Sequence, residues 1–324
     1  MSLPSPRAGQ ELRMTAPAAS PTPPAAGAEP APIYFGIAGW SYPDWDGYVY
    51  GPRTRDKLRF IAAYVDAIEI NSTFYRPPDA RTTASWQART ADLPAFFFTA
   101  KLHQDITHGG RIEEPTARAF HEGLRPLIEA QRLKHLLAQF RYDFADTPAA
   151  RDRLSRIRER FGELANLTLE LRHRSWQAPA ALEFLQSLRV SVAHLDYPAA
   201  ANSFTLRLCP VGEHAYFRLH GRNAQAWFRK DAGRDEAYNW LYSAAEIDEI
   251  ARRAADIARQ SRSLTLIANN HYQGKEAVNI LQLKARLTGR KVPVPPQLAE
   301  KYPELRPLCA ALPPASAPAP PASP

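Results

Sequence analysis

Between residues 33 and 270, short β-rich runs alternate with stretches of helical spacing, and the alternation repeats eight times. The runs are Ile33 to Ala38, Ala67 to Ser72, Ala95 to Leu102, His135 to Arg141, Leu167 to His173, Val190 to Tyr197, Ala215 to Gly221 and Leu264 to Asn270. Between them, Lys57 to Val65, Thr116 to Gln131, Ala149 to Phe161, Ala180 to Leu188 and Ala244 to Gln260 carry apolar residues at helical intervals. Such alternation requires parallel strands joined by right-handed crossovers. Eight units in about 260 residues match the count and size of a closed (β/α)8, TIM-barrel-like domain. An open doubly wound sheet is the rival, but the first strand is not followed by a Gly-rich phosphate loop. The fold class expected is therefore α/β, with one barrel domain over residues 32–310.

The ends have a different composition. Many of the 30 prolines fall before residue 33 or after residue 292, and such stretches bury too little apolar surface to offset the entropy of ordering. Residues 1–31 and 311–324 are expected to be disordered tails, and Met14 is a candidate start. The chain has neither the apolar core of a signal peptide nor an apolar run of the roughly 18 to 20 residues that spans a bilayer, so a cytoplasmic location is expected. Cys209 and Cys309 lie far apart and outside any Cys-x-x-Cys pair, which argues against a disulfide framework or cysteine-based zinc site. The net charge of +8 favours anionic partners. Much of that excess is Arg151, Arg153, Arg156, Arg158 and Arg160, spaced as a solvated helix face.

In a barrel, function sits at the C-terminal ends of the strands. The run from Leu167 to Trp176 directs attention there, since alternation puts Leu167, Leu169 and Leu171 on one face and Thr168, Glu170 and Arg172 on the other. A buried apolar strand has no use for two charges, each costing several kcal/mol to desolvate. The same parity gathers Glu69, Asn71, Lys101, His103, Gln139, Arg218, His220 and Asn269 on the barrel axis, and His194 and Asp196 are expected to point inward too.

Taken in order, Gly39-Trp40-Ser41, Glu69 to Tyr75, Lys101 with Ile106-Thr107-His108, Glu170 to Trp176, Arg218 to Arg222 and Asn269-Asn270 resemble the YecE-like family, domain of unknown function 72. The resemblance runs from about Ile33 to Leu287 and implies a TIM-barrel-like fold and a single soluble domain; it implies no established activity. Two positions depart from the family. Its Gln-Leu-Pro-Pro-Ser-Phe-like run reads Gln139-Phe140-Arg141-Tyr142-Asp143-Phe144 here, and its Phe-Asn-Asn reads Ala268-Asn269-Asn270.

The candidate catalytic residues are Glu170, Glu69, His220 and Lys101. Glu170 and Glu69 are an acid/base pair, since neighbouring carboxylates are driven to different pKa values; equally, Glu170 neutralises Arg172 or Arg218 while Glu69 pairs with Lys101 in an interior ion network. On the catalytic reading, Glu170→Gln leaves the protein folded. Candidate ligand-binding residues are Arg172, Arg218, Arg222, Asn71, Tyr75, His108, Gln139, Trp176, Asp196, Asn269, Asn270 and Trp40. Guanidinium forks at one mouth suit phosphate or carboxylate. Trp40, Tyr42, Trp45, Phe74, Tyr75, Trp176 and Trp227 either stack on a ring or pack loops together.

Six histidines, His103, His108, His173, His194, His220 and His271, with Glu69, Glu170 and Asp196 raise a metal site, but no single element carries His-x-His or His-x-x-x-His spacing. No metal ligands are assigned, and the cofactor is unknown. Two functions stand: an enzyme, hydrolase, lyase or isomerase, acting on a small phosphate- or carboxylate-bearing substrate at the barrel mouth; or a nucleic-acid-binding or -processing barrel using the basic balance and mouth aromatics. No membrane partner is expected.

Overall fold

A computed structural model of the chain describes residues 31–229, 231 and 233–310; the expectations for the two tails fall outside the described residues, but for residue 31. Nine parallel strands are present: β1 (Ile33–Ile37), β2 (Ala67–Ile70), β3 (Phe97–Lys101), β4 (Leu133–Gln139), β5 (Asn166–Glu170), β6 (Ser191–Val192), β7 (His194–Asp196), β8 (His214–Leu219) and β9 (Ser263–Ala268). Their order is β6-β5-β4-β3-β2-β1-β9-β8-β7. The two ends of this sheet are adjacent in sequence, separated by Ala193 alone, so the sheet is a nearly closed barrel. The expected sixth strand is thus split. Ala193 N–H still donates to Leu169 of β5 at 2.9 Å, whereas from His194 onward the chain pairs with β8.

Strand alternation separates two cores. Phe35, Ile37, Ile68, Ile70, Phe98, Leu136, Leu169, Phe217 and Leu266 face the surrounding helices in one continuous apolar layer. Inside the barrel a small cluster of Ala38, Ala67, Phe97, Leu137, Ala193, Leu195, Tyr216 and Ile267 fills the lower and middle interior. Ala193 and Leu195 are on the inner face, so His194 and Asp196 are on the outer one, opposite to expectation. The split strand is apolar on both parities in sequence, which left its register unmarked.

Helices begin where side chains satisfy their free N–H groups: Asp79 accepts from Arg81 and Thr82, Thr147 from Ala150, and Ser243 forms a capping box with Glu246. The five expected helices are present as Lys57–Ala62, Glu114–Glu129, Pro148–Phe161, Pro179–Ser187 and Ala244–Ala258. Ala80–Arg89 and Lys275–Thr288 are additional. The second is buried almost all round, from Glu276 through Leu281 and again at Leu283 and Ala285, so it presents no amphipathic stripe to recognise. A two-stranded ribbon of Val292–Pro293 and Cys309–Ala310 follows. Among the described residues no helix is long and apolar enough to cross a membrane.

Candidate active site

The upper interior of the barrel is a layer of charges. Arg218, near the end of β8, is wholly buried and lies between two wholly buried carboxylates. Its Nη2 donates to Glu69 Oε1 at 2.8 Å, and its Nη1 to Glu170 Oε2 and to Gln139 Oε1, the latter at 3.0 Å. Arg172 then caps Glu170 from above, donating from Nε and Nη2 to Oε1 at 2.8 and 2.6 Å. Tyr216, one turn of the pleat below Arg218, donates its hydroxyl to Glu69 Oε2 at 2.9 Å and meets Thr99 at 2.8 Å. Both oxygens of both glutamates are therefore committed. The network pairs each buried carboxylate with a guanidinium, as buried ions need if their attraction is to offset desolvation, and leaves Arg218 Nε without a partner among the described residues. Burial pushes the Glu170 carboxyl up, but Arg218 and Arg172, with His220, outweigh it and hold the group well below the ordinary carboxylate range.

His220 completes the layer. Asn269 Nδ2 lies 3.0 Å from His220 Nδ1, and His220 Nε2 lies 3.4 Å from Arg218 Nη1 and 3.5 Å from Glu170 Oε1. Burial takes the His220 imidazole down to about 3 despite the pull of Glu170, which makes it a neutral group at physiological pH.

Lys101 is the exception among the buried cations. Thr73 fixes the end of β3 by donating to the Lys101 carbonyl at 2.7 Å and accepting from its N–H at 3.2 Å. The side chain is 9% exposed, and its Nζ lies 4.8 Å from the centre of the Phe74 ring. Among the described residues no carboxylate oxygen comes within 4.0 Å of it. Burial first, with Arg218 and Arg172, lowers the ammonium to about 8 against the opposing Glu69 and Glu170.

Two walls rise from this floor. On one side Phe74, Tyr75 and His108 stand edge to face, with ring centres 5.2 and 5.1 Å apart. On the other, Tyr197, Trp227 and Tyr238 follow one another at 6.3 and 5.6 Å, and Arg172 lies 5.8 and 5.6 Å from the Tyr197 and Trp227 rings. The result is a cationic floor between aromatic sides.

Of the residues singled out in the sequence, Glu69, Lys101, Gln139, Glu170, Arg172, Arg218, His220 and Asn269 come together, with His108 and Tyr75 at the rim. Asn71 stands beside them, donating to the Ala38 carbonyl at 3.2 Å. The others are elsewhere. Asp196 points out of the barrel and binds Arg222 at 2.9 and 2.6 Å; Arg222 also meets Glu249 at 3.0 Å and Glu246 at 3.6 Å. Three carboxylates neutralise that guanidinium, so it is not a free cation for a ligand at the mouth. Trp176 is wholly buried, stacked on Phe144 with its N–H on the Phe144 carbonyl at 2.7 Å. Trp40 packs edge-on against Trp86 at 5.2 Å. Asn270 is wholly buried, donating to Trp240 and Asn279 at 2.7 and 2.8 Å. Glu69 pairs with Arg218, not with Lys101.

Sequence reasoning overlooked Tyr216, Tyr197, Tyr238 and Glu276. Tyr216 shares the parity of Arg218 and His220, a signal that was present. Tyr197 follows once Asp196 is known to face outward. Tyr238 sits in a segment without periodicity. Glu276 is wholly buried on the helix Lys275–Thr288 and accepts from the Ala38 N–H at 3.3 Å; burial, then Glu69, raises its carboxyl well above the ordinary range.

No group of three or more His, Cys, Asp or Glu side chains arranged to hold a metal ion occurs among the described residues.

The family described as "Protein of unknown function DUF72" matches residues 34–303. UPF0759 protein YunF of Bacillus subtilis is 26% identical over 268 residues, covering 78% of this chain and 93% of that protein. A DUF72 family protein from Thermotoga maritima of known crystal structure is 30% identical, covers 79% of this chain and 99% of its own, and superposes with a TM-score of 0.70. One from Enterococcus faecalis is 26% identical, covers 79% and 95% respectively, and gives a TM-score of 0.71. The chain belongs to the DUF72 family, and its barrel is the fold of those structures.

Proposed function

We propose that the barrel mouth of this DUF72 family member is the active site of an enzyme acting on a small substrate that carries a phosphate or carboxylate group. One observation carries the reading: the charges under the mouth do not cancel. Glu69 and Glu170 are balanced by Arg218 and Arg172, and Lys101 is left over, giving the floor one positive charge in a site of low exposure. An anion placed there would meet a field that water screens little. The flanking Tyr197, Trp227, Tyr238 and Phe74 rings suit the carbon skeleton of such a substrate.

The rival reading, a barrel that binds nucleic acid, needs a row of cations free to meet successive phosphates. Against it stands the neutralisation of Arg172, Arg218 and Arg222 by carboxylates. Since both glutamates are also fully engaged, the proton-transfer work falls to Lys101, with neutral His108 and His220 near it. This shifts the catalytic role away from the carboxylates first singled out.

The test is thermal unfolding with sulfate or phosphate against chloride at equal ionic strength. A saturable gain is expected, about 1.4 kcal/mol at ten times the dissociation constant, and it should vanish in Lys101→Met. Identical responses to all three salts would contradict the reading, and tight, salt-sensitive binding of an oligonucleotide would favour the rival.

A further inference from the structure

We propose that the Lys101 amine is a covalent nucleophile, forming an imine with the carbonyl carbon of a small anionic aldehyde or ketone. The inference deepens the anionic-substrate reading and rests on it for the carboxylate or phosphate; the covalent step rests on the surroundings of Nζ.

A lysine nucleophile has to be held out of water and clear of carboxylates that would keep it protonated. Lys101 meets each condition. The other two cations of the floor are clamped, Arg218 by Glu69 and Glu170, Arg172 by Glu170. Lys101 Nζ lies instead against the Phe74 ring, which holds it without taking a proton. The same ring is met edge-on by the His108 imidazole, so Phe74 touches both the amine and a titratable group. His108 Nδ1 lies 3.0 Å from Thr107 Oγ1, leaving Nε2 for the substrate. The amine titrates near 8, and burial, then Lys101, lowers the His108 imidazole from its ordinary value. At neutral pH roughly a tenth of the amine is thus free, with an imidazole shifted toward its neutral form on the same aromatic ring.

The Nζ lone pair adds to the carbonyl carbon while the carbonyl π pair moves to oxygen. One proton leaves Nζ for His108 Nε2 and passes on to that oxygen, giving a neutral carbinolamine. A proton from solvent, relayed by the same imidazole, turns the hydroxyl into departing water, and the nitrogen lone pair closes the C=N bond. Amine, carbonyl and one proton become a protonated imine and one water. The product is again a monocation, so the floor keeps the charge for which its four other ions are set. A protonated imine draws electrons from the adjacent carbon, which points to lyase or isomerase chemistry rather than simple hydrolysis.

The experiment uses the full chain with glyoxylate and sodium cyanoborohydride at pH 7, followed by peptide mapping. At that pH a group titrating near 8 is unprotonated roughly 200 times more often than one near 10.4. The expected result is reductive alkylation of Lys101 at an initial rate at least roughly tenfold that of the exposed Lys291 and Lys301. Its pH profile should rise to half its maximum near 8, and Lys101→Met should retain only the slow background. Labelling spread evenly over the lysines, while glyoxylate still raises the melting temperature saturably, overturns the imine and leaves the anion site standing. Neither labelling nor stabilisation overturns both.

Discussion

Both oxygens of Glu170 are held by guanidiniums, and this reverses what its sequence position suggests. The expectation drawn from parity was that Glu170→Gln stays folded because the arginines are held for a ligand. With Oε1 shared by two donors of Arg172 and Oε2 bound to Arg218, the substitution instead leaves two buried guanidiniums short of a counter-charge. It should cost about 3 to 5 kcal/mol at pH 7, read from urea midpoints. The sign of the pH dependence follows from a folded pKa below the unfolded one. The carboxylate's contribution is complete above the unfolded value and is lost as pH falls through the folded one, so the gap between wild type and variant should narrow as pH falls below the unfolded value of 4.5. Equal midpoints at pH 7 would contradict the network. At this scale the sequence was a good guide wherever a polar residue interrupted an apolar strand, as at Glu69, Lys101, Glu170, Arg218 and His220. It could not tell which charge would be neutralised, because the pairing of Arg218 with Glu69 joins residues 149 apart that only closure of the barrel brings together.

The strands set those positions, and their legibility depended on contrast. Where the two parities differ, as in Leu-Thr-Leu-Glu-Leu-Arg over 167–172, direction could be read. In Ser191 to Asp196 the two parities are similar, and the inward residues turned out to be Ala193 and Leu195, sending Asp196 outward to Arg222. The helix Lys275–Thr288 escaped for the related reason that nearly every side of it is covered. Close approach adds a constraint invisible to periodicity. A Cβ at Gly36 of β1 would stand 2.5 Å from Ile267 Cδ1 and 2.7 Å from the Ala67 carbonyl oxygen, so β1 is pressed against both neighbours inside the barrel. Gly36→Ala should therefore destabilise by about 1 to 3 kcal/mol, despite a backbone that alanine adopts readily. Calorimetry checks this, and a variant as stable as wild type would mean that the interior yields there more easily than its packing implies.

For the molecule as a whole, closure of the barrel turns scattered polar residues into one site with a definite charge. Four ions hold one another in place, and a fifth, Lys101, is held among them by an aromatic ring and a threonine-fixed strand end. That arrangement stores a cost. Below pH 8 the folded protein keeps a buried ammonium, whereas between about pH 8 and the unfolded value of 10.5 only the unfolded chain binds that proton, so stability should rise with pH across that window. The most direct measurement is the titration of Lys101 itself, followed by NMR of its 13C-labelled ε-methylene, with Lys101→Met to assign the signal. A midpoint near 8 that moves upward on addition of sulfate is expected. A midpoint at about 10 or above, unmoved by sulfate, would contradict a buried, unbalanced cation at the centre of the site.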